Sequence, residues 1–373
     1  MSEIVIIGGG FGGLSFLKAA RKSKNNFTLI DQTNHHLFQP LLYQVATAVL
    51  SPADISVPIR NLFKNDKNVN VVLDEVVDIN KQNKSLLLKS GNEINYDKLV
   101  ISVGSTYSYF GNDQWSSYSH GLKNLNDALD IRDNILNSLE KAENEKNHNL
   151  KLPYLNFVII GGGPTGVEIA GSIAELAYKN IKNEYRNFNT KDINVYIVEG
   201  GSVILPDYPN DLSVKASKYL HRLGVSLKLN EKVINIEDKK VITNKESYLT
   251  NNIIWAAGNK ANPIIDKLKT EVDKFGRVIV NDDFSINEDT SIYVIGDAAN
   301  YKNYNGIPLP GIAPVAIQQG KYLARKITTK NPSENIKKFK YNDKGMMATI
   351  GGFKAIGVIG KIQISGLLAW LFW

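Results

Sequence analysis

The chain has 373 residues, 43% of them hydrophobic, enough for two domains with cores of their own and too apolar for a disordered chain. A net charge of +7 and a sequence pI near 9.1 favour anionic partners, nucleotides or acidic lipid, or equally a solvated lysine-rich surface. The absence of cysteine excludes disulfides, thiolate metal sites and thiol redox chemistry, and no metal site or nucleic-acid partner is expected.

The N-terminus enters an apolar strand, Ile4-Val5-Ile6-Ile7, with no basic leader, so no signal peptide is expected. Next come Gly8-Gly9-Gly10-Phe11-Gly12-Gly13, a helix-like stretch, and a second strand, Phe27-Thr28-Leu29-Ile30, ending in Asp31. Leu99-Val100-Ile101-Ser102-Val103 reads as a strand closed by Gly104. Asp127 to Ala142 reads as a helix whose apolar face carries Leu129, Ile131, Ile135, Leu136 and Leu139. Glu143 to Lys151 reads as a polar surface connector. The opening pattern then recurs: Phe157-Val158-Ile159-Ile160, Gly161-Gly162-Gly163-Pro164-Thr165-Gly166, a helix, and Val195-Tyr196-Ile197-Val198 ending in Glu199. Ile253-Ile254-Trp255-Ala256-Ala257 runs to Gly258, and Ser291-Ile292-Tyr293-Val294-Ile295 runs to Gly296-Asp297. Residues 344–373 turn glycine-rich and apolar, and no run reaches the ~18 apolar residues of a membrane span.

A glycine loop between strand and helix has a mechanical meaning. The first glycine makes the tight turn, the second lets backbone approach a pyrophosphate, and the third lets helix pack on strand. Gly8, Gly10 and Gly13 fill these places in the first copy, with Phe11 and Gly12 completing the loop; Gly161, Gly163 and Gly166 fill them in the second. The helix N-terminus offers free N–H groups to phosphate. Asp31 and Glu199 are placed to accept from a ribose diol, and an acid at Glu199 repels a 2′-phosphate, favouring NADH over NADPH. Two such units imply one FAD and one NADH, with hydride passing from nicotinamide to flavin. Gly104 and Gly258 suit chain crossings where backbone nears a cofactor, or simple strand ends.

At this point the chain resembles the two-dinucleotide-binding-domain flavoproteins. Gly296-Asp297-Ala298-Ala299 is similar to their second FAD signature, which implies that Asp297 bonds the ribityl chain. Three blocks narrow the resemblance to type II NADH:quinone oxidoreductases. They are His35-His36-Leu37-Phe38-Gln39-Pro40-Leu41-Leu42-Tyr43-Gln44-Val45-Ala46-Thr47, Leu309 to Gly320, and Met347-Ala348-Thr349-Ile350-Gly351. The resemblance implies that Thr47 lies among the cofactor-binding residues. It also implies that Glu168 lies near nicotinamide and flavin and that Gln318, with Gln319 beside it, meets the quinone head group. Plain readings of these residues are a dipole-favoured acid at a helix start and ordinary helix amides. The chain departs from the family pattern at Ala313-Pro314, where Ala-Gln is common. Ser102-Val103-Gly104 stands for Ala-Thr-Gly, and Gly352 for an Arg.

The expectation is an α/β fold of two interleaved Rossmann-like dinucleotide-binding domains plus a short C-terminal membrane-associating region. The FAD-binding part spans 1–118 and 285–343, the NADH-binding part 119–284, and the C-terminal quinone and membrane region 344–373. The resembled family continues past such an end, so a truncated C-terminus is expected. Lys354, Lys361 and Gln363 interrupt the tail while Trp370, Phe372 and Trp373 suit an interface. That pattern fits attachment to an anionic membrane surface, or a buried core or dimer helix. The resemblance implies a peripheral enzyme on the cytoplasmic face of a bacterial inner membrane, reducing a quinone without proton pumping. A homodimer, a reductase of a protein acceptor like the ferredoxin and rubredoxin reductases, and a slow NADH-binding flavoprotein stay open.

Overall fold

The computed structural model describes residues 1–329 and 337–373; residues 330–336, inside the expected 285–343 segment, lie outside the described residues. The chain divides into two compact units. The first comprises Met1–Leu37, Ser56–Thr106 and Asn259–Asp343, and the second Phe38–Ile55, Tyr107–Gly258 and Lys344–Trp373.

The first unit is built on a five-stranded parallel sheet. Its order is Ile292–Val294, Lys98–Ile101, Glu3–Ile7, Asn26–Asp31, Val69–Leu73. Strands buried on both faces read as continuous apolar runs, as Ile4–Ile7 and Leu99–Ile101 do, whereas the edge strand Val69–Leu73 has no buried residue. Ile4, Ile6, Leu29 and Val100 pack with Phe16, Leu17, Val315 and Leu323 of the helices Phe11–Ala20 and Ala313–Thr328 on one face. Val5, Ile7, Ile30, Leu99 and Ile101 pack against Leu86, Leu88 and Ile265 on the other. An antiparallel meander, Val76–Asn80, Ser85–Leu88, Glu93–Asn95, completes the unit.

The second unit repeats the plan. Its four-stranded parallel sheet has the order Val225–Leu229, Asn194–Glu199, Asn156–Ile160, Asn252–Trp255, and its meander is Val233–Glu237, Lys240–Thr243, Ser247–Leu249. The expected central helix runs Leu125–Asn144. Its start is set by Asn124, whose side chain accepts the Asp127 N–H while Asp127 accepts the Asn124 N–H, a reciprocal cap. Its buried face is Ala128, Ile131, Ile135, Ser138, Leu139 and Ala142; Leu136, expected on it, is exposed.

Three local expectations change. The connector after Glu143 is partly helical, His148–Leu155, and Lys151 is buried there with its ammonium on the Asn187 carbonyl. Residues 38–55 and 107–118, expected with the first fold, cluster with the second, and 259–284, expected with the second, cluster with the first; the helix Leu42–Ala46 packs on Pro164–Glu175 and Leu125–Asn144. Residues 344–373 also join the second unit, as a three-stranded antiparallel sheet, Met346–Thr349, Ala355–Ile359, Ile362–Gly366, and a short helix, Leu367–Phe372. Ala348, Ile350, Ala355, Ile356 and Ala369 are core, whereas Phe353, Ile362, Leu368, Leu371 and Phe372 are each at least 66% exposed. Among the described residues no helix is long and apolar enough to cross a membrane.

Candidate active site

Each glycine loop is shaped by what a side chain would collide with. Gly8 has φ +98°, and a Cβ on it would stand 2.5 Å from the Ser102 carbonyl oxygen; Gly161 has φ +110°, with Ala257 N at 2.9 Å. A Cβ on Gly13 would overlap the Gly8 carbonyl, and one on Gly166 the Gly161 carbonyl, so helix and strand close up only without one. Gly10 and Gly163 differ: nothing lies within 4 Å of a Cβ there. These two cap the helices Phe11–Ala20 and Pro164–Glu175 without a side-chain hydrogen bond. Two helix N-termini with no side-chain cap and no acid in the first turn therefore face open space. That arrangement fits a pyrophosphate at each loop.

The acids repeat as well. Asp31 Oδ2 accepts the Gly9 N–H at 2.5 Å, and its Oδ1 accepts from Thr33 N and Oγ1 at 2.7 and 2.6 Å. Glu199 Oε2 accepts the Gly162 N–H at 2.7 Å, and its Oε1 the Gly201 N–H at 2.6 Å. Both remain partly exposed, so each ties down its loop and keeps a face for a further donor. In the first unit His36 Nδ1 lies 3.1 Å from the Gly9 carbonyl oxygen and the ring meets Phe11 edge-on; burial holds its pKa below the usual imidazole value. Gly12 faces Ile295.

Asp297 sits in the turn Gly296–Ala298 at the end of the strand Ile292–Val294, where it accepts from Ser105 Oγ at 3.0 Å. Gln319, 1% exposed, accepts the Gly296 N–H at 2.7 Å and so sets this turn. Gln318 is engaged differently: its amide brackets Asn342, donating to the carbonyl and accepting the N–H, both at 2.9 Å. Pro314, the departure from Ala-Gln, lies in the first turn of the helix Ala313–Thr328, where a missing N–H costs nothing. Ser102, another departure, donates to the carbonyls of Ile7 and Gly8 and braces the first loop. Gly104 has φ +69° with open space about it, and Gly258 has φ +71° with the Phe110 ring and the Ser108 carbonyl 2.7 Å from a would-be Cβ.

In the second unit Glu168 stands on the helix Pro164–Glu175, largely enclosed, with its pKa pushed up to about 8 by burial; the Thr349 N–H approaches it at 3.4 Å. The Thr349 hydroxyl donates to Tyr43 Oη at 2.8 Å, and Gln44 donates to the same oxygen at 2.9 Å. Burial drives the Tyr43 phenol up to about 12. One turn beyond Glu168, Ser172 pairs with Thr47, which is 1% exposed and also donates to the Tyr43 carbonyl. Tyr43 and Thr349 each lie inside a block that resembles the family, with no role implied for either. Their only signal was that both fall in those blocks, since the contacts span 306 residues. Gly352, the third departure, lies against Glu175, whose carboxylate is instead paired with Lys179 at 2.7 Å.

Residues 2–320 match the pyridine nucleotide-disulphide oxidoreductase family. Along its whole length the chain is 37% identical to the type II NADH:quinone oxidoreductase Ndh of Mycobacterium tuberculosis, covering 82% of that protein. It is 29% identical to the type II NADH:quinone oxidoreductase of Haemophilus influenzae, with 96% of this chain and 87% of that protein covered. In fold it is similar to the solved NDH2 of Plasmodium falciparum in complex with NADH, at TM-score 0.91 and 23% identity, covering 99% of this chain and 93% of that one. The chain therefore belongs to the pyridine nucleotide-disulphide oxidoreductase family, in its branch of type II NADH:quinone oxidoreductases.

Proposed function

We propose that the chain oxidises NADH and reduces a membrane quinone, with FAD held by the first glycine loop and NADH by the second. The observation that carries this is the doubled cradle. Gly10 and Gly163 each open an uncapped helix N-terminus to empty space, and each cradle has an acid tied to its own loop, Asp31 or Glu199. Phosphate binds such N-termini through free N–H groups and the helix dipole, and the acids hold ribose hydroxyls.

When bound, FAD supplies the ring that takes hydride from nicotinamide and passes electrons to the acceptor. The chain supplies the positions. Asp297, held by Ser105 and by the Gln319–Gly296 bond, orients the ribityl chain. Gly104 and Gly258 let backbone approach without a side chain. Glu168 holds a proton at neutral pH, because its surroundings disfavour the carboxylate, and stands ready as a neutral donor. The Thr349–Tyr43–Gln44 chain fixes the segment beside it, and Thr47 anchors that segment through Ser172. Gln318 offers its amide to the quinone by exchanging its bonds to Asn342.

The exposed apolar side chains of Phe353, Ile362, Leu367, Leu368, Leu371 and Phe372 seat the enzyme on a membrane surface as a peripheral protein on the cytoplasmic face. The test is anaerobic addition of NADH to the purified holoprotein, followed by a soluble quinone. Bleaching of the flavin absorbance and prompt recovery are expected; failure to bleach with NADH would refute the reading.

A further inference from the structure

The far end of the second fold carries a lysine that no motif singles out. The strand Asn194–Glu199 runs into Gly200 and Gly201, and two backbone hydrogen bonds clamp this turn. The Asn230 N–H donates to the Gly201 carbonyl at 2.8 Å, and the Glu231 N–H to the Glu199 carbonyl at 3.0 Å. Lys232 is the next residue. Asn244 pins it from both sides, accepting its N–H on Oδ1 at 2.8 Å and donating its own N–H to the Lys232 carbonyl at 3.0 Å. The Lys232 stem lies over Gly200: a Cβ on that glycine would be 3.2 Å from Lys232 Cγ and 3.8 Å from Cε. Neighbouring cations are engaged, Lys228 with Glu246 and Lys245 on the Leu229 carbonyl. The exposed Lys232 ammonium has no ion pair among the described residues.

We propose that Lys232 is a specificity-determining residue of the nucleotide site: a cation placed to meet a 2′-phosphate and overruled by the charge of Glu199. This rests on the second loop being the NADH site. A nucleotide seated on that loop directs its adenosine ribose at Glu199, beside the turn that Lys232 crosses. The two side chains then act on the same ribose edge with opposite signs. Glu199 accepts from a diol and repels a phosphate, whereas a lysine is a point-charge phosphate partner. Glu199 is held in place by two backbone N–H groups, while Lys232 is exposed and free to move, so the fixed anion dominates. Gly200 matters because the bare turn leaves room for the lysine stem. Rejection of NADPH then depends on a single carboxylate, with the counter-charge for the opposite preference already present.

The experiment compares kcat/KM for NADH and NADPH in the full-length holoprotein, its Glu199→Gln variant and the Glu199→Gln/Lys232→Ala double variant. Glutamine keeps an oxygen for the Gly162 N–H, gives up the acceptor of the Gly201 N–H and removes the charge. Glu199→Gln is expected to raise the NADPH:NADH ratio by about tenfold or more, the worth of one charge-assisted hydrogen bond. The double variant is expected to lose that gain. Equal gains in the single and double variants, or no gain in the single one, overturn the role of Lys232 while NADH turnover by the parent leaves the site assignment standing. A parent that NADH does not reduce removes the site assignment, and the proposal with it. Should Glu199→Gln not accumulate as folded protein, Lys232→Glu is read in the native chain. A fall in the NADPH:NADH ratio supports the role, and an unchanged ratio overturns it.

Discussion

Glu168→Gln replaces a carboxyl by a neutral side chain of the same shape, and its effect follows from the environment of the residue. Burial raises the Glu168 pKa from 4.5 to about 8. Between those values the unfolded chain releases a proton that the folded chain keeps, so stability falls as pH rises. The favourable linkage is fully present below pH 4.5 and is lost by the time pH passes about 8. Each unit of separation is worth about 1.4 kcal/mol, which puts the ceiling at about 5 kcal/mol. The side chain retains some exposure, and solvent screening holds the expected loss below that ceiling. Glutamine carries no such penalty. Urea denaturation of parent and variant at pH 5, 7 and 9 should show the variant gaining on the parent toward alkaline pH, with unchanged slope against urea. Parallel pH dependences in the two proteins would refute the buried neutral carboxyl.

Other predictions test how the site is held. Gly166→Ala should abolish folding or cost well over about 3 kcal/mol, because its Cβ overlaps the Gly161 carbonyl, whereas Gly163→Ala should fold normally and raise the KM for NADH. Far-ultraviolet dichroism and steady-state kinetics separate the two. Gln319→Leu leaves the Gly296 N–H without its acceptor and should cost about 1–3 kcal/mol in urea denaturation and loosen flavin retention on gel filtration. Asn124→Ala removes the reciprocal cap of the helix Leu125–Asn144 and should cost about 1 kcal/mol with NADH turnover unchanged.

The parts legible in the sequence were those with a local cause. Each glycine loop announces itself because turn, phosphate approach and helix packing impose three different demands on residues only a few positions apart. The acids Asp31 and Glu199 were legible because a strand ending in an acid keeps its place relative to the loop through the parallel register, Ile7 against Ile30 and Ile160 against Val198. The roles of Tyr43, Thr349 and Gln319 were not legible. Each makes its bond to a residue distant in the chain or to a backbone N–H whose position depends on packing. Leu136 shows the same limit from the other side: its spacing marks an apolar face, but the helix turns Ala128 and Ser138 inward instead.

By itself the sequence determined that this chain carries two strand–glycine-loop–helix units, each with a second strand ending in an acid, and that thiol chemistry is closed to it. These follow from local sterics and from composition. Tertiary structure decided which segments share a unit. It carried residues 38–55 and 344–373 to the second fold, set Glu168 and Tyr43 in surroundings that shift their proton affinities, and laid Lys232 across the Gly200 turn. Burial and long-range contact arise only when elements far apart in the chain pack together, so no local pattern encodes them.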